Sequence, residues 1–214
     1  MKINGINNVI FDLDGTLIDS SVGVTEATNY ALLAMGEPER NIEEVRKYIG
    51  YPLEKMFSDF SDKSYDQFWP LFRKKAKEVI VPSAVALDGA DEVLEKLKTA
   101  GMKIGIGSTK ISPHIDGTIK KMGWTDYINF FVGADQVKNV KPAPDVFLKL
   151  LELMNSGKEN AVVIGDTIND ILAAKAAGIR NIAVRSPYGG DDKLKLAKPD
   201  YVADKIKDIL DILL

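Results

Sequence analysis

Short apolar runs, spaced by longer stretches of mixed polarity, set the pattern of this chain. Val9-Ile10-Phe11, Lys103–Gly107, residues 129–132, Ala161–Gly165 and residues 181–184 are rich in β-formers and lack the alternation of a half-exposed strand. Strands of a parallel sheet covered on both faces have this character, because neither side of the pleat meets water. Between them the apolar positions recur at helical spacing. Residues 90–100 place Val93, Leu94 and Leu97 on one face and stop at Gly101, which suits a left-handed cap. Ser112-Pro113 reads as an N-cap with a first-turn proline, followed by the stripe Ile115, Ile119, Met122 and a stop at Gly123. Pro144 opens a helix with Val146, Phe147, Leu150, Leu151 and Met154 inward, and Ile168–Ala177 is a small-residue helix closed by Gly178. Strand alternating with helix predicts right-handed β-α-β crossovers and an α/β fold, a doubly wound parallel sheet with a Rossmann-like core.

The alternation breaks once. Residues 17–84 carry helical pattern and no strand signal. Ala27, Tyr30, Ala31 and Ala34 share a face of a first helix ending at Gly36, and further helical pieces cover 42–48, 52–60 and 64–81. Pro70 predicts a kink or restart in the last of them. The expected organisation is a catalytic core of residues 1–16 and 85–214, with residues 17–84 inserted as an all-helical cap domain over the strand ends.

Composition narrows the function classes. Hydrophobic residues make up 45% and charged residues 28% of the 214, with a net charge of −3, an ordinary globular balance. Basic residues are scattered, and the run Arg73-Lys74-Lys75-Ala76-Lys77 fits a solvated helix face, so no nucleic acid and no anionic membrane is expected as partner. The absence of cysteine excludes disulfides, thiol catalysis and thiolate metal sites. No apolar run approaches a membrane span and the N-terminus does not resemble a signal peptide, so a cytoplasmic protein is expected. The oligomeric state is left open.

Four places carry chemistry. In Phe11-Asp12-Leu13-Asp14-Gly15-Thr16-Leu17 two carboxylates leave a strand on the same side, at the edge where open α/β sheets bind ligands, and Gly15 permits a sharp turn. Taken alone this is equally an Asp-Gly turn. Gly107-Ser108-Thr109-Lys110 offers a hydroxyl and backbone N–H groups that can hold a phosphate oxygen, though such residues follow many strands. In Lys141-Pro142-Ala143-Pro144-Asp145 the prolines stiffen the approach to a lysine that either neutralises an anion or sits on the surface. Gly165-Asp166-Thr167-Ile168-Asn169-Asp170 closes a strand with one acid and carries a second four residues on, an arrangement that also makes a helix cap. Together they bring a nucleophile, a hydroxyl, a cation and a metal carboxylate to one edge of the sheet. No glycine-rich dinucleotide fingerprint follows the first strand.

The stretch Asp12 to Ser20, Lys141-Pro-Ala-Pro-Asp, and Gly-Asp-Thr with Asp170 and Ala173-Ala174…Ala176-Ala177-Gly178 resemble the haloacid dehalogenase superfamily. The similarity is to its phosphoglycolate-phosphatase-like branch with a helical cap, and Ile49-Gly50-Tyr51-Pro52-Leu53 resembles the substrate-facing turn of such caps. The resemblance implies a Mg²⁺-dependent phosphatase acting on a small phosphorylated metabolite, such as a phosphoglycolate-like phosphomonoester. Asp12 would attack phosphorus and become an aspartyl phosphate, and Asp14 would serve as acid and then base. Asp12, the Asp14 carbonyl and Asp166 would hold the metal with Asp170 behind them, while Ser108, Thr109 and Lys141 would bind the phosphoryl oxygens. An acid at Asp14 separates phosphatases from the dehalogenases and phosphonate hydrolases of the superfamily, which lack it. β-Phosphoglucomutase-like relatives carry a cap histidine where this chain has Val24, so a mutase is the enzymatic alternative and a non-catalytic phosphate-binding module the other. The lone histidine, His114, is expected to face solvent. Specificity is expected from residues 21–24, from Gly50-Tyr51-Pro52 and from Lys55, with Tyr51 lining the pocket or packing in the cap; the loop Arg185 to Gly190 departs from the usual short one.

Overall fold

Every apolar run named above becomes a strand in the computed structural model, which describes residues 2–186, 188 and 190–214. These strands are β1 (Asn8–Phe11), β4 (Lys103–Gly107), β5 (Ile128–Val132), β6 (Ala161–Gly165) and β7 (Arg180–Val184), joined by a short edge strand β8 (Tyr201–Ala203). The order is β5-β4-β1-β6-β7-β8, and all pairs are parallel. β1 lies between β4 and β6 and all four of its residues are buried, which is why it reads as a continuous apolar run.

Successive β1 side chains serve opposite cores. Val9 and Phe11 pack with Val93, Leu94 and Leu97 of α5 (Ala90–Thr99) and Ile115 and Ile119 of α6 (Ser112–Met122). Ile10 packs with Phe147 and Leu150 of α7 (Asp145–Met154) and with the alanines of α8 (Ile168–Ala177). Helices therefore cover both faces of the sheet. The cap of α6 differs by one position from the expected one: Ile111 is the N-cap and Pro113 lies second in the helix.

A second sheet went unseen in the sequence. β2 (Ile18–Asp19) pairs antiparallel with β3 (Val85–Ala86), setting the two ends of the helical stretch between them side by side. Two-residue strands with Val85 exposed carry no periodicity to read. β8 escaped for the same reason, since its middle residue Val202 faces water.

Between β2 and β3 lie α1 (Ser21–Ala34), α2 (Ile42–Arg46), α3 (Leu53–Phe60) and α4 (Tyr65–Ser83). They enclose a core of their own, in which Phe68 stacks between Phe57 and Phe72 with centroids 4.5 and 5.6 Å away. α4 runs through Pro70 without restarting. Gly23 lets α1 approach α4 closely, for a Cβ there would stand 2.8 Å from the Val79 carbonyl oxygen. Two short helices complete the chain, α9 (Asp191–Leu196) and α10 (Ile209–Leu213).

Candidate active site

The site lies at the C-terminal ends of β1, β4 and β6, where a parallel sheet leaves its strand ends free of crossover helices. Asp12 directly follows β1, and its backbone N–H still donates to the Ile164 carbonyl of β6 at 2.8 Å. That anchor fixes the carboxylate in a buried position, 1% exposed. The next turn is tight: the Gly15 N–H donates to the Ile18 carbonyl at 2.8 Å and the Leu17 N–H to the Leu13 carbonyl at 2.9 Å. Asp14 is thereby brought back beside Asp12.

Gly15 is needed here twice over. Its φ is +82°, and a Cβ would stand 2.1 Å from Asp166 Oδ2. Gly15→Ala is expected to displace Asp166, weakening divalent-cation affinity by at least about tenfold and lowering the melting temperature by several degrees. Calorimetric cation titration and a thermal melt check both, and an unchanged affinity refutes the close approach.

Lys141 is buried to the same degree as Asp12, and its Nζ donates to Asp12 Oδ1 (2.6 Å), to the Gly107 carbonyl (3.0 Å) and to Asp170 Oδ1. It also lies 5.6 Å from the centre of the Phe147 ring. The other Asp170 oxygen accepts from the Thr167 N–H (3.0 Å) and Thr167 Oγ1 (2.6 Å), the capping box that starts α8. Both Asp170 oxygens are thus engaged by protein donors. Asp166 directly follows β6, and its Oδ1 accepts from Thr16 Oγ1 at 3.0 Å.

The electrostatics are those of buried acids exceeding their cations. Burial, reinforced by Asp170 and Asp14 and opposed by Lys141, pushes the Asp12 carboxyl up to about 7. Asp166 is raised well above the usual carboxylate range, by burial first and then by Asp12 and Asp170. For Lys141 burial works against the charge, but Asp12 and Asp170 outweigh it and hold the ammonium above its ordinary value. Carboxylate oxygens of Asp12, Asp166 and Asp170 lie within 4.8 Å of one another. Asp12 Oδ2 is buried with no hydrogen-bond partner among the described residues. An all-oxygen donor set with an unpaired carboxylate oxygen fits a small hard divalent cation such as Mg²⁺.

Ser108 follows β4 and is buried, and its Oγ accepts from the Lys110 N–H at 3.2 Å. Thr109 borders the cavity beside Asp14. Lys110 carried no role in the sequence beyond ending its motif, yet its Nζ lies 3.1 Å from Asp14 Oδ1 and 3.1 Å from Ser20 Oγ. Ser20 itself donates to Asp14 Oδ1. Only the fold brings these three together, since nothing in the spacing of residues 14, 20 and 110 couples them.

Two hollows adjoin these groups. One, of about 130 Å³, is bordered by Asp14, Thr109, Lys110 and His114 at the sheet edge and by apolar residues of α1, α3 and α4 including Val24. The other, of about 530 Å³, lies between Arg46, Lys47 and Tyr51 on one side and Asp166, Thr167 and Tyr188 on the other. Tyr51 lines both, whereas Lys55 turns away to pair with Asp59 and lines neither. His114 does not face solvent as expected. It is half-buried in the wall of the first hollow, with Nε2 buried and without a partner among the described residues. Burial, then Lys110, lowers its imidazole to about 4, so the ring is neutral. In the loop after β7, Tyr188 donates to Asp19 Oδ1 at 2.9 Å and accepts from the Ser20 N–H at 3.2 Å. Arg46 of the cap reaches the other Asp19 oxygen at 3.4 Å. Pro187 and Gly189 of the loop Arg185 to Gly190 lie outside the described residues.

Known proteins share this architecture. The chain is 31% identical over 208 residues to the pyrophosphatase PpaX of Bacillus mycoides, covering 97% of each. A haloacid dehalogenase-like hydrolase family protein of Streptococcus pneumoniae superposes with a TM-score of 0.88 at 28% identity, covering 98% of this chain and 99% of that one. A hydrolase of Pseudomonas syringae superposes with a TM-score of 0.81 at 29% identity over 96% of both chains. The sequence pattern of the haloacid dehalogenase-like hydrolases matches residues 9–184. With that span holding Asp12, Asp14, Lys141 and Asp166 alike, the chain belongs to the haloacid dehalogenase-like hydrolase family and is a phosphatase of it.

Proposed function

We propose that this phosphatase is Mg²⁺-dependent and hydrolyses a small phosphorylated metabolite in the cytoplasm through an aspartyl-phosphate intermediate. The observation that carries the reading is Asp12, buried with one oxygen on Lys141 and the other unpartnered. In the first half-reaction an Asp12 oxygen bonds to phosphorus, the bond from phosphorus to the leaving oxygen breaks, and Asp14 gives that oxygen its proton. In the second, water attacks phosphorus, Asp14 takes the water's proton, and phosphate and free Asp12 carboxylate result. Lys141, Ser108 and the Thr109 backbone would hold the phosphoryl oxygens in both. Asp12, the Asp14 carbonyl and Asp166 would hold Mg²⁺, and Asp170, whose oxygens already serve Lys141 and Thr167, stands behind them. Bound there, Mg²⁺ neutralises negative charge on the phosphoryl group and the acids around it.

Residues 17–84 act as a cap in this reading, closing over the phosphoryl site and selecting the leaving group. Val24 on the cavity wall cannot move a proton, which disfavours the phosphoglucomutase alternative. The Bacillus relative is a pyrophosphatase, so pyrophosphate stands beside phosphoglycolate as a substrate to assay. Trapping with beryllium fluoride and Mg²⁺ tests the nucleophile. Crystallographic density for the fluoride bonded to Asp12 is the expected result, and density on any other side chain refutes the mechanism.

A further inference from the structure

We infer that the leaving group of this enzyme's substrate carries an apolar portion about the size of a six-membered ring, seated in the cavity between cap and core. The inference rests on the phosphatase reading above and goes beyond it in naming the class of leaving group: a primary alkyl or arylalkyl phosphate.

The cavity begins at Asp14, the group placed to protonate the leaving oxygen, and extends into the cap. Whatever departs from phosphorus toward Asp14 therefore has to occupy it. Its walls there are Val24, Met56, Trp69, Phe72 and Ile80. At about 130 Å³ it is close to the size of apolar cavities that hold benzene. The hollow opens to solvent, so an apolar group entering it takes the area of these walls out of water.

The charges nearby argue against an anionic leaving group. Lys110 is the lysine that lines this cavity beside Asp14, and it is already shared between Asp14 and Ser20. Arg73 reaches the cavity only from an exposed position on α4. His114 is held neutral by burial and adds no positive charge. A second phosphate or a carboxylate placed against Met56, Trp69 and Phe72 would lose its hydration there, with Lys110 already paired and Arg73 at the exposed rim. An alkyl or aryl group instead gains from the same walls, by about fourfold in affinity for each buried methylene.

Ethyl, butyl, cyclohexylmethyl and benzyl phosphate make a suitable test, because primary alcohols of similar acidity leave in each case and intrinsic reactivity stays nearly constant. With Mg²⁺ present, kcat/KM is expected to rise about fifteenfold from ethyl to butyl, two methylenes longer. Benzyl phosphate should exceed ethyl phosphate, phosphoglycolate and pyrophosphate by a further order of magnitude. Val24→Phe, which fills the cavity, should lower the benzyl-to-ethyl ratio at least tenfold. Trp69→Ala, which enlarges it, should shift the optimum toward naphthylmethyl phosphate, so the idea does not depend on one variant folding. A flat series, or pyrophosphate or phosphoglycolate outrunning benzyl phosphate, overturns this inference and leaves the phosphatase reading intact. Failure to release phosphate from any of these compounds would remove both.

Discussion

Asp12→Asn is expected to lose at least about 10⁴-fold in turnover and yet to melt higher than the parent in metal-free buffer at pH 8. The loss follows from its place as nucleophile, since an amide cannot form the acyl-phosphate bond. The gain in stability follows from the buried charges. Raising the Asp12 carboxyl from 3.8 to about 7 corresponds to roughly 4 kcal/mol against its ionised form above that pH. Asparagine has almost the same shape, and its carbonyl oxygen can still accept from Lys141. Lys141 in turn keeps Asp170 as an anionic partner. The variant thus gives up a strained charge without orphaning the cation, at a site where activity and stability oppose each other. Part of the gain is offset by the weaker Lys141 contact, leaving a rise of a few degrees at about 2–4 °C per kcal/mol for a chain of this size. Melts of both proteins in EDTA check it. An asparagine variant that melts well below the parent would mean that Asp12 is chiefly a stabilising ion-pair partner.

The second large effect links the divalent cation to pH. Asp12 and Asp166 have raised carboxyls, so the folded protein binds their protons more tightly than the unfolded chain does. Their contribution is fully present below the ordinary carboxylate value and is lost as pH rises through the folded values, near 7 for Asp12. His114 works in the opposite sense. Its lowered imidazole favours folding above 6.5 and loses that contribution as pH falls toward 4. The metal-free protein should therefore melt progressively lower from pH 5 to pH 8, most steeply between about 6.5 and 7, where His114 no longer offsets the acids. Mg²⁺ binds the ionised acids, so its effect grows along the same range. At about a hundred times its Kd it should add about 2.7 kcal/mol, a rise of roughly 5–10 °C at pH 8. At pH 5 the rise should nearly vanish. Equal shifts at both values would show that the cation binds elsewhere.

Much of this was readable in the chain because the physical requirement was local. A strand buried on both faces must be apolar throughout, so β1, β4 and β6 showed as runs with nearly their true bounds. Asp12 and Asp14 needed only the period of a strand and a glycine turn, and Asp170 needed only the first turn of a helix. The helices between β2 and β3 showed as helical pattern, and α4 carried Pro70 without the restart that a proline alone suggests.

What the chain could not show is what forms jointly between distant segments. Val24, Met56, Trp69 and Phe72 have the spacing and chemistry of ordinary cap core, and packing alone decides that they wall a hollow. Lys110 is one lysine among many until folding sets it against Asp14 and Ser20. His114 looked like a surface residue because α6 shows its face only when α4 packs beside it. Sequence by itself marked five strands of the sheet, the helical run between β2 and β3 and the acids that follow β1 and β6, since backbone periodicity and turn geometry act over a few residues. Tertiary structure alone decided which oxygens stay unpaired, which cation is already taken and what shape of molecule fits above Asp14, because burial and charge pairing depend on neighbours a hundred residues away.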